Sequence, residues 1–342
     1  MADNRATTDR ALHRQMMDGL KQRLGRIAAV MPPAQPVVYL DYPVHDNVGD
    51  LLIHQGADAF LADNGYTVLG RFSMHDFSHL DRNGENKVVL KPSIRMLDAL
   101  AERDGCVFAL HGGGNFGDLW PQFQMFRELI VERYPDTRIV VLPQSIHFDN
   151  PAKRERSARV LRAHKKLFVF VRDEESLAFL RAASVAGAVV PDMAHQLWGR
   201  QPFDGHAGGS GTLVMRRRDR ESRNAGDAGG DFDWAEMNGE VSRLLLRGLR
   251  KWQTIDNPLR RWIPNYQLWR IYRDHLVRRA VERFRPYGRI DTDRLHGVIL
   301  AALLSKQVRY GEGSYGKLHR YAHLWLAGSK LIESERPQQA AE

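Results

Sequence analysis

The sequence predicts an α/β protein whose parallel sheets are covered by helices on both faces. Three observations predict it. Short, continuous apolar runs recur along the first two hundred residues, as strands buried on both faces require. Stretches with helical character separate most of these runs, the alternation that builds parallel sheets. Polar and glycine residues gather just after the apolar runs, where open parallel sheets bind their ligands.

The elements follow in order. Leu12, Met16, Leu20, Leu24 and Ile27 recur at helical spacing and predict an N-terminal amphipathic helix within residues 1–35. Pro32, Pro33 and Pro36 end it. PVVYLDY reads as a buried strand, VHDNVGD as a polar loop, and Leu51 to about Asn64 as a helix. Strand-like runs follow at 67–72, 87–91, 106–112, 138–145, 167–173 and 186–192, with helices at 93–103, 121–134, 151–163 and 174–183. Residues 36–204 thus form one unit. The glycine-rich run 203–213 reads as a linker, and a second unit, 205–330, begins with TLVMRRRD. Within it, 219–233 reads as a mobile loop and 238–285 as a basic helical segment broken near Pro258 and Pro264. GRIDTD and QVRYGEG read as strands and SYGKLHRYAHLWLAGS as the closing helix. Residues 331–342 are expected to form a disordered tail.

A chain of 342 residues suits two domains. Hydrophobic residues at 43% and charged residues at 27% place it among globular rather than disordered proteins. The lone cysteine, Cys106, excludes an internal disulfide framework and a cysteine-based zinc site. Its apolar surroundings suit a buried, inert thiol. The N-terminus has no apolar stretch of the secretory kind, and no uncharged run approaches the roughly 20 residues of a membrane span. The expected compartment is the cytoplasm. The formal net charge is +9. Residues 243–285 alone hold twelve Lys and Arg against three Asp and Glu, so the excess is one basic segment. Nucleic acid, an anionic membrane face or another polyanion would each answer to it. Three tryptophans, Trp252, Trp262 and Trp269, lie in that segment, a composition suited either to an interface or to core tryptophans among solvated arginines.

Five motifs carry chemistry. In TDRLHGVILAALL (292–304), Arg294 and His296 stand where a strand gives way to a helix, whose first N–H groups and dipole attract anions. The same residues also fit a basic turn whose histidine caps the helix. DNVGD (46–50) offers Asp46, Asn47 and Asp50 around Gly49, either to sugar hydroxyls or as helix caps. LHGGGNFGDLW (110–120) presents Gly112, Gly113, Gly114 and Asn115 as a binding loop with bare N–H groups. It has no GK[ST], and DNVGD has no GxGxxG, which disfavours nucleotide P-loops and dinucleotide fingerprints. Arg172 of VRDEES (171–176) suits a phosphate or carboxylate, or a local salt bridge. Lys317 of SYGKL would complete a cationic pocket. No metal-binding signature is present among the fourteen histidines.

Together, DNVGD, LHGGGNFGDLW, LPQSIHF (142–148), VRDEES, PDMAHQLW (191–198), TDRLHG and YGKL (315–318) resemble the polysaccharide pyruvyl transferase family. The version here is most similar to the branch found in bacterial exopolysaccharide gene clusters. The resemblance implies a GT-B-like fold of two Rossmann-like domains, 36–204 on the acceptor side and 205–330 on the donor side. It implies phosphoenolpyruvate as donor, no further cofactor, and a pyruvate ketal as product. By motif, His296 matches the proton donor, and Arg172 and Lys317 match the donor-binding cations. Arg294 is expected to assist both. Asp46, Asn47, Asp50, Gly112, Gly113, Gly114 and Asn115 are assigned to the acceptor or cleft, with Asp46 and Asp50 as candidate bases. The interval 218–287 has few strand-like runs, so the second domain is expected to be abridged.

The acceptor implied is a saccharide or lipid-linked oligosaccharide. An anionic membrane surface is the expected partner of the basic segment, which would place the protein at the inner face of the plasma membrane. No nucleic-acid partner is expected. Two other readings stay open: a GT-B glycosyltransferase using a nucleotide sugar, and a protein that binds nucleic acid or another polyanion.

Overall fold

A computed structural model of the chain describes residues 2–80, 86–88, 92–204, 208–218, 232–237, 239–254, 265–311 and 316–335. The expected loop 219–233 lies almost wholly outside these residues, as do Pro258, Pro264 and Trp262. The first sheet is formed by β1 (Val37–Leu40), β2 (Val68–Phe72), β5 (Val107–Leu110), β6 (Gly113–Gly117), β7 (Arg138–His147), β8 (Leu167–Val171) and β9 (Gly187–Val189). Its order is β2-β1-β5-β7-β8-β9, with β6 beside β7, and every pairing is parallel. Strand order reverses between β1 and β5, so the crevice outside their carboxyl ends is the expected ligand position.

Apolar residues on alternating positions feed two cores. Val38, Leu40, Phe108, Leu110, Ile139 and Val141 face one side. There they meet α4 (Pro92–Ala101), α5 (Pro121–Arg133), α6 (Pro151–Ala163) and α7 (Glu174–Ala182). Val37, Tyr39, Val107, Ala109 and Val140 face the other side, against α3 (Val48–Asp63).

The second sheet is four-stranded and parallel: β10 (Thr212–Met215), β11 (Arg289–Thr292), β12 (Gln307–Tyr310) and β13 (Ile332–Ser334), in that order. It joins the core on the α3 side, so one buried cluster runs from β1 and α3 to β11 and β12. α10 (Leu295–Leu303), α9 (Asn265–Phe284) and α8 (Glu240–Thr254) contribute to this cluster, as does α11 (Lys317–Tyr321) with its continuation Ala322–Leu326.

Several sequence expectations change. KVVLK contributes β4 (Asn86–Val88), which pairs antiparallel with β3 (Ser78–Leu80) outside the main sheet. Residues 332–334, expected in the tail, form β13, because their backbone completes the open edge of β12. The glycine run of LHGGGNFGDLW is not a loop but supplies β6, paired with β7. The helix α3 starts at Val48 rather than Leu51, because Asn47, not Asp50, is its N-cap and accepts from Gly49 N at 3.0 Å.

The N-terminal helix α1 (Ala2–Arg23) continues into α2 (Arg26–Val30) and straps the two halves together. Its buried stripe is His13, Met17, Leu20, Leu24 and Ile27, while Leu12 faces solvent. His13 drives this shift of the upper stripe: its ring nitrogens reach Ala302 O (2.9 Å) and Ser329 Oγ (2.8 Å) in the second half. Lys21 donates to Trp198 O, and the Trp198 indole donates to Asp18, on the first half. Leu24→Ala should therefore cost about 2–5 kcal/mol of stability, and Leu12→Ala less than about 0.5 kcal/mol. Denaturant unfolding of the two variants checks this difference.

Candidate active site

β11 ends at Thr292, and Arg294 is the N-cap of α10 without a side-chain capping bond. The N–H groups of Leu295, His296 and Gly297 precede the first intrahelical acceptor pairing, Val298 N to Arg294 O. Gly297 lets this turn press onto the sheet: a Cβ there would meet Thr292 Oγ1 at 2.8 Å and Met215 Sδ at 3.1 Å. His296 follows in the first turn and points back across to the other half. A Cβ on Gly49, in the first turn of α3, would lie 2.6 Å from His296 Nδ1 and 2.9 Å from its Cγ. The glycine of DNVGD is thus what admits the imidazole of RLHG.

Asp192 anchors the other side of the ring. His296 Nε2 lies 3.4 Å from Asp192 Oδ2. The same carboxylate oxygen takes a short charged hydrogen bond from Arg172 Nη1, and the whole carboxylate is buried. Burial alone would raise the Asp192 carboxyl, but the charges of Arg172 and His296 hold it well below the usual carboxylate range. Arg172 stands directly after β8, itself buried, and its Nη2 donates to Ser145 Oγ at 3.1 Å. That Nη2 would be 3.5 Å from a Cβ on Gly114. The glycine leaves that side of the guanidinium uncovered by a side chain.

The C-terminal helix closes around this group. Tyr321 Oη accepts from Asp192 N at 2.9 Å and lies 2.9 Å from His195 Nε2. The Trp325 indole donates to Arg172 O at 2.8 Å. Burial brings His195 down to about 4, so it stays neutral at pH 7. Lys317 opens α11, and Tyr321 is its fourth residue on. Residues at that spacing share a helix face with roughly 5–6 Å between their Cβ atoms, which sets Lys317 one turn from the Asp192 contact. Arg294 goes elsewhere: its guanidinium is paired with the buried Asp233 at 2.5 Å through Nη2 and Nε.

A second polar group sits at the carboxyl ends of β1 and β5. Tyr39 Oη and His111 Nδ1 are 2.7 Å apart, and His111 Nε2 is buried with no hydrogen-bond partner among the described residues. Burial lowers His111 to about 4. Asp41 follows β1 at a φ of 65°, unusual for a residue with a side chain, and is 4% exposed. Burial pushes its carboxyl up to about 7, opposed by the guanidinium of Arg127 and reinforced by the charge of Asp50. Asp50 itself lies 3.5 Å from His45 Nε2 and faces Gly113, its Oδ1 3.6 Å from where a Cβ would be. Asn115 is committed to structure: its Oδ1 accepts from Arg127 Nη2 (2.9 Å) and Gln144 Nε2 (3.2 Å). Gly112 packs on Pro143 O, where a Cβ would stand at 2.7 Å.

Part of the basic segment also serves the fold. Arg273 is buried and bonds Asp58 at 2.6 Å and His54 Nδ1 at 3.0 Å, clamping α9 onto α3. Arg250 donates to Val44 O at 2.7 Å. Trp269 is fully buried, so it is a core residue and not part of an interfacial surface.

The structure therefore brings Arg172, His296, Gly49 and Gly114 together, with Asp50 and Gly113 alongside. Asn47 and Asn115 serve as cap and brace, and Asp46 lies near Arg250 on the same loop side. Sequence reasoning places Asp41, His111 and Asp192 among the polar residues that gather at the strand ends, where each directly or closely follows an apolar run, but assigns none of the three a role. Among the described residues no cluster of three or more His, Cys, Asp or Glu forms a metal site. No described helix is long and apolar enough to cross a membrane.

The sequence profile of the polysaccharide pyruvyl transferase family matches residues 47–310. A Bacillus subtilis protein named as a candidate pyruvyl transferase, EpsO, is 33% identical over 325 residues, covering 93% of this chain and 94% of its own. Pyruvyl transferase 1 of Schizosaccharomyces pombe is 26% identical over 305 residues, 86% of this chain and 71% of its own. The crystal structure of an uncharacterised Klebsiella pneumoniae protein superposes with a TM-score of 0.60 over 93% of this chain and 98% of its own, at 17% identity. That last likeness supports the fold alone. The Gly49 contact yields a test. Gly49→Ala adds a good helix former yet displaces the His296 ring, so turnover should drop by at least about tenfold while the melting temperature stays within a few degrees. Steady-state rates and thermal unfolding of the variant check it.

Proposed function

The chain belongs to the polysaccharide pyruvyl transferase family, and on that premise we propose that it moves pyruvate from phosphoenolpyruvate to a sugar of a lipid-linked exopolysaccharide repeat unit. The product is a pyruvate ketal, and phosphate is released. The observation that carries this reading is the convergence of Arg172 and His296 on the buried Asp192, at the start of α10, with Lys317 one turn from the same carboxylate's neighbour Tyr321. We read the two parallel sheets joined through one core as GT-B-like, with the donor between them.

Phosphoenolpyruvate carries a phosphate and a carboxylate, so its site needs several cations and bare N–H donors. The first turn of α10, Arg172 and Lys317 supply them. Protonation of C3 turns the methylene into a methyl group and makes C2 electrophilic. An imidazole exchanges protons near neutral pH, and His296 is placed to give this one. One sugar hydroxyl then bonds to C2. A second hydroxyl attacks the same carbon, the C2–O bond to phosphate breaks, and the ring of the ketal closes. The cations stabilise the departing phosphate. Arg294, held by Asp233, stiffens the turn that carries His296, and its charge adds to the cationic side of the cleft.

A lipid-linked acceptor would bring the protein to a membrane, and two helices present a fitting surface. Leu244 on α8 is 62% exposed and is flanked on its helix face by exposed Arg243, Arg247 and Lys251. Ile271 on α9 is 66% exposed beside Arg270. Apolar side chains among arginines on amphipathic helices suit the headgroup region of an anionic bilayer.

Three measurements test these readings. Calorimetry should detect phosphoenolpyruvate and none of a panel of nucleotide sugars; the opposite result would favour a glycosyltransferase. His296→Ala should lower turnover by about 10²–10⁴-fold with donor affinity retained, whereas Arg172→Ala and Lys317→Ala should weaken donor affinity first. In flotation with vesicles, the wild-type protein should rise with anionic phospholipid and not with neutral phosphatidylcholine. Arg243→Glu with Arg247→Glu should reduce the bound fraction by more than about tenfold. Binding that ignores both lipid charge and these substitutions counts against a membrane role.

A further inference from the structure

We propose that Asp41 is the general base that takes the proton from the attacking acceptor hydroxyl, at the carboxyl ends of β1 and β5. The proposal rests on the pyruvyl-transfer reading and supplies the group that reading leaves unassigned.

Four observations carry it. Asp41 stands at the point where strand order in the first sheet reverses, opposite His111 in the register of β1 with β5. Open parallel sheets bind substrates there. Its backbone is held at a φ of 65°, which β-carbon crowding disfavours and which Gly would occupy freely. Strain of this kind persists where the surrounding structure enforces it, and it concentrates at working sites. Asp41 as a residue is 4% exposed, and no hydrogen bond is among the causes that set its carboxyl. A carboxyl buried in this way is costly for a fold and useful for a reaction. Finally, its nearest polar surroundings contain other unspent groups: His111 Nε2, Gln144 Oε1 and Arg127 Nε are buried without hydrogen-bond partners among the described residues. Asp50, whose charge acts on both Asp41 and His111, faces Gly113 on the same side, and Gly49, one residue before it, meets the His296 ring.

Asp46 and Asp50 are less suited. Asp50 is set against His45, and both residues are more open to solvent than Asp41. The charged and titratable groups that act on Asp41 are Tyr39 on β1, Asp50 on α3 and Arg127 on α5, and Tyr39 in turn bonds His111, just past β5. Burial and Asp50 together place the carboxyl near 7 despite Arg127, in the range where a base both accepts and returns a proton.

The protons balance over the cycle. In the first step the sugar oxygen bonds to C2, its proton passes to the Asp41 carboxylate, and the C2=C3 electron pair takes a proton from His296 at C3. In the second, the other hydroxyl oxygen bonds to C2 and its proton passes to His296. The C2–O bond breaks with its electron pair on the phosphate, which takes the proton from Asp41. Both side chains return to their starting states.

The test uses Asp41→Asn, which tolerates the left-handed backbone, and Asp41→Gly, which removes its strain. Both variants should lose at least about 100-fold in kcat, with the KM for phosphoenolpyruvate within about threefold of wild type. The wild-type rate should fall as the pH drops below about 7, and the residual rate of either variant should not follow that limb. Stability gives an independent readout. The Asp41 carboxyl titrates at about 7 in the folded chain against 3.8 unfolded, so its contribution is present at low pH and is lost as pH rises through 7. Both variants should therefore melt higher than wild type at pH 8, with a smaller gain at pH 5. Variants with wild-type turnover, an unchanged acid limb, or a lowered melting temperature at pH 8 would overturn the proposal. If wild-type protein binds no phosphoenolpyruvate, the donor reading falls and this inference with it. If it binds phosphoenolpyruvate and Asp41→Asn still turns over, only the role of Asp41 falls.

Discussion

The structure depends on one buried carboxylate, that of Asp192. It stands past the last strand of the first sheet and binds Arg172 from β8, while the imidazole of His296 approaches from the second half. The helix that follows β12 then fastens to the same place, through Tyr321 to Asp192 and through Trp325 to the backbone of Arg172. A charge with no solvent contact needs its partners: removing one side of such a pair leaves an uncompensated ion at a cost of about 3–5 kcal/mol. The relative placement of the two sheets, the orientation of Arg172 and the position of His296 are therefore set by one electrostatic requirement. This is also why the N-terminal helix straps both halves. A strap that held them loosely would let the pair separate.

The second constraint is close approach. Gly49 and Gly297 bring α3, α10 and the second sheet within distances that a methyl group would prevent. Asp41 and the unpaired atoms of His111 and Gln144 mark the opposite case, where the chain keeps strain and unsatisfied polarity that packing alone would remove. Backbone strain and unpaired buried polar atoms coincide at the ends of β1 and β5, which is where a working site is expected to differ from its scaffold.

The first sheet was largely legible, because β1, β5, β7 and β8 are continuous apolar runs buried on both faces, a pattern that needs no partner to be recognised. The same logic failed for KVVLK, whose apolar run pairs locally and antiparallel, and for the glycine run of β6, which pairs through its backbone and carries no side-chain signature. The stripe of α1 was read one position off in its first turns, since His13 is buried by two tertiary hydrogen bonds that no periodicity reveals. Motif chemistry singled out Arg172 and His296, which the fold brings to one carboxylate. Asp192 and Asp41 were legible only as polar residues at strand ends, because a carboxylate after a strand reads as a cap or a turn until its burial is known. The basic segment was legible as charge but not as structure: Arg273 and Trp269 went into the core, Arg250 of α8 reached the backbone of Val44, and Arg243 and Arg247 stayed outside.

The central claim is that the cluster around Asp192 uses phosphoenolpyruvate to place pyruvate on a sugar. The most direct measurement is a balance of products in heavy water with phosphoenolpyruvate and an oligosaccharide acceptor. Phosphate release should equal saccharide-bound pyruvate mole for mole, and the new methyl group should carry solvent deuterium. Phosphate release without pyruvate on the saccharide, or a methyl group free of deuterium, would contradict it.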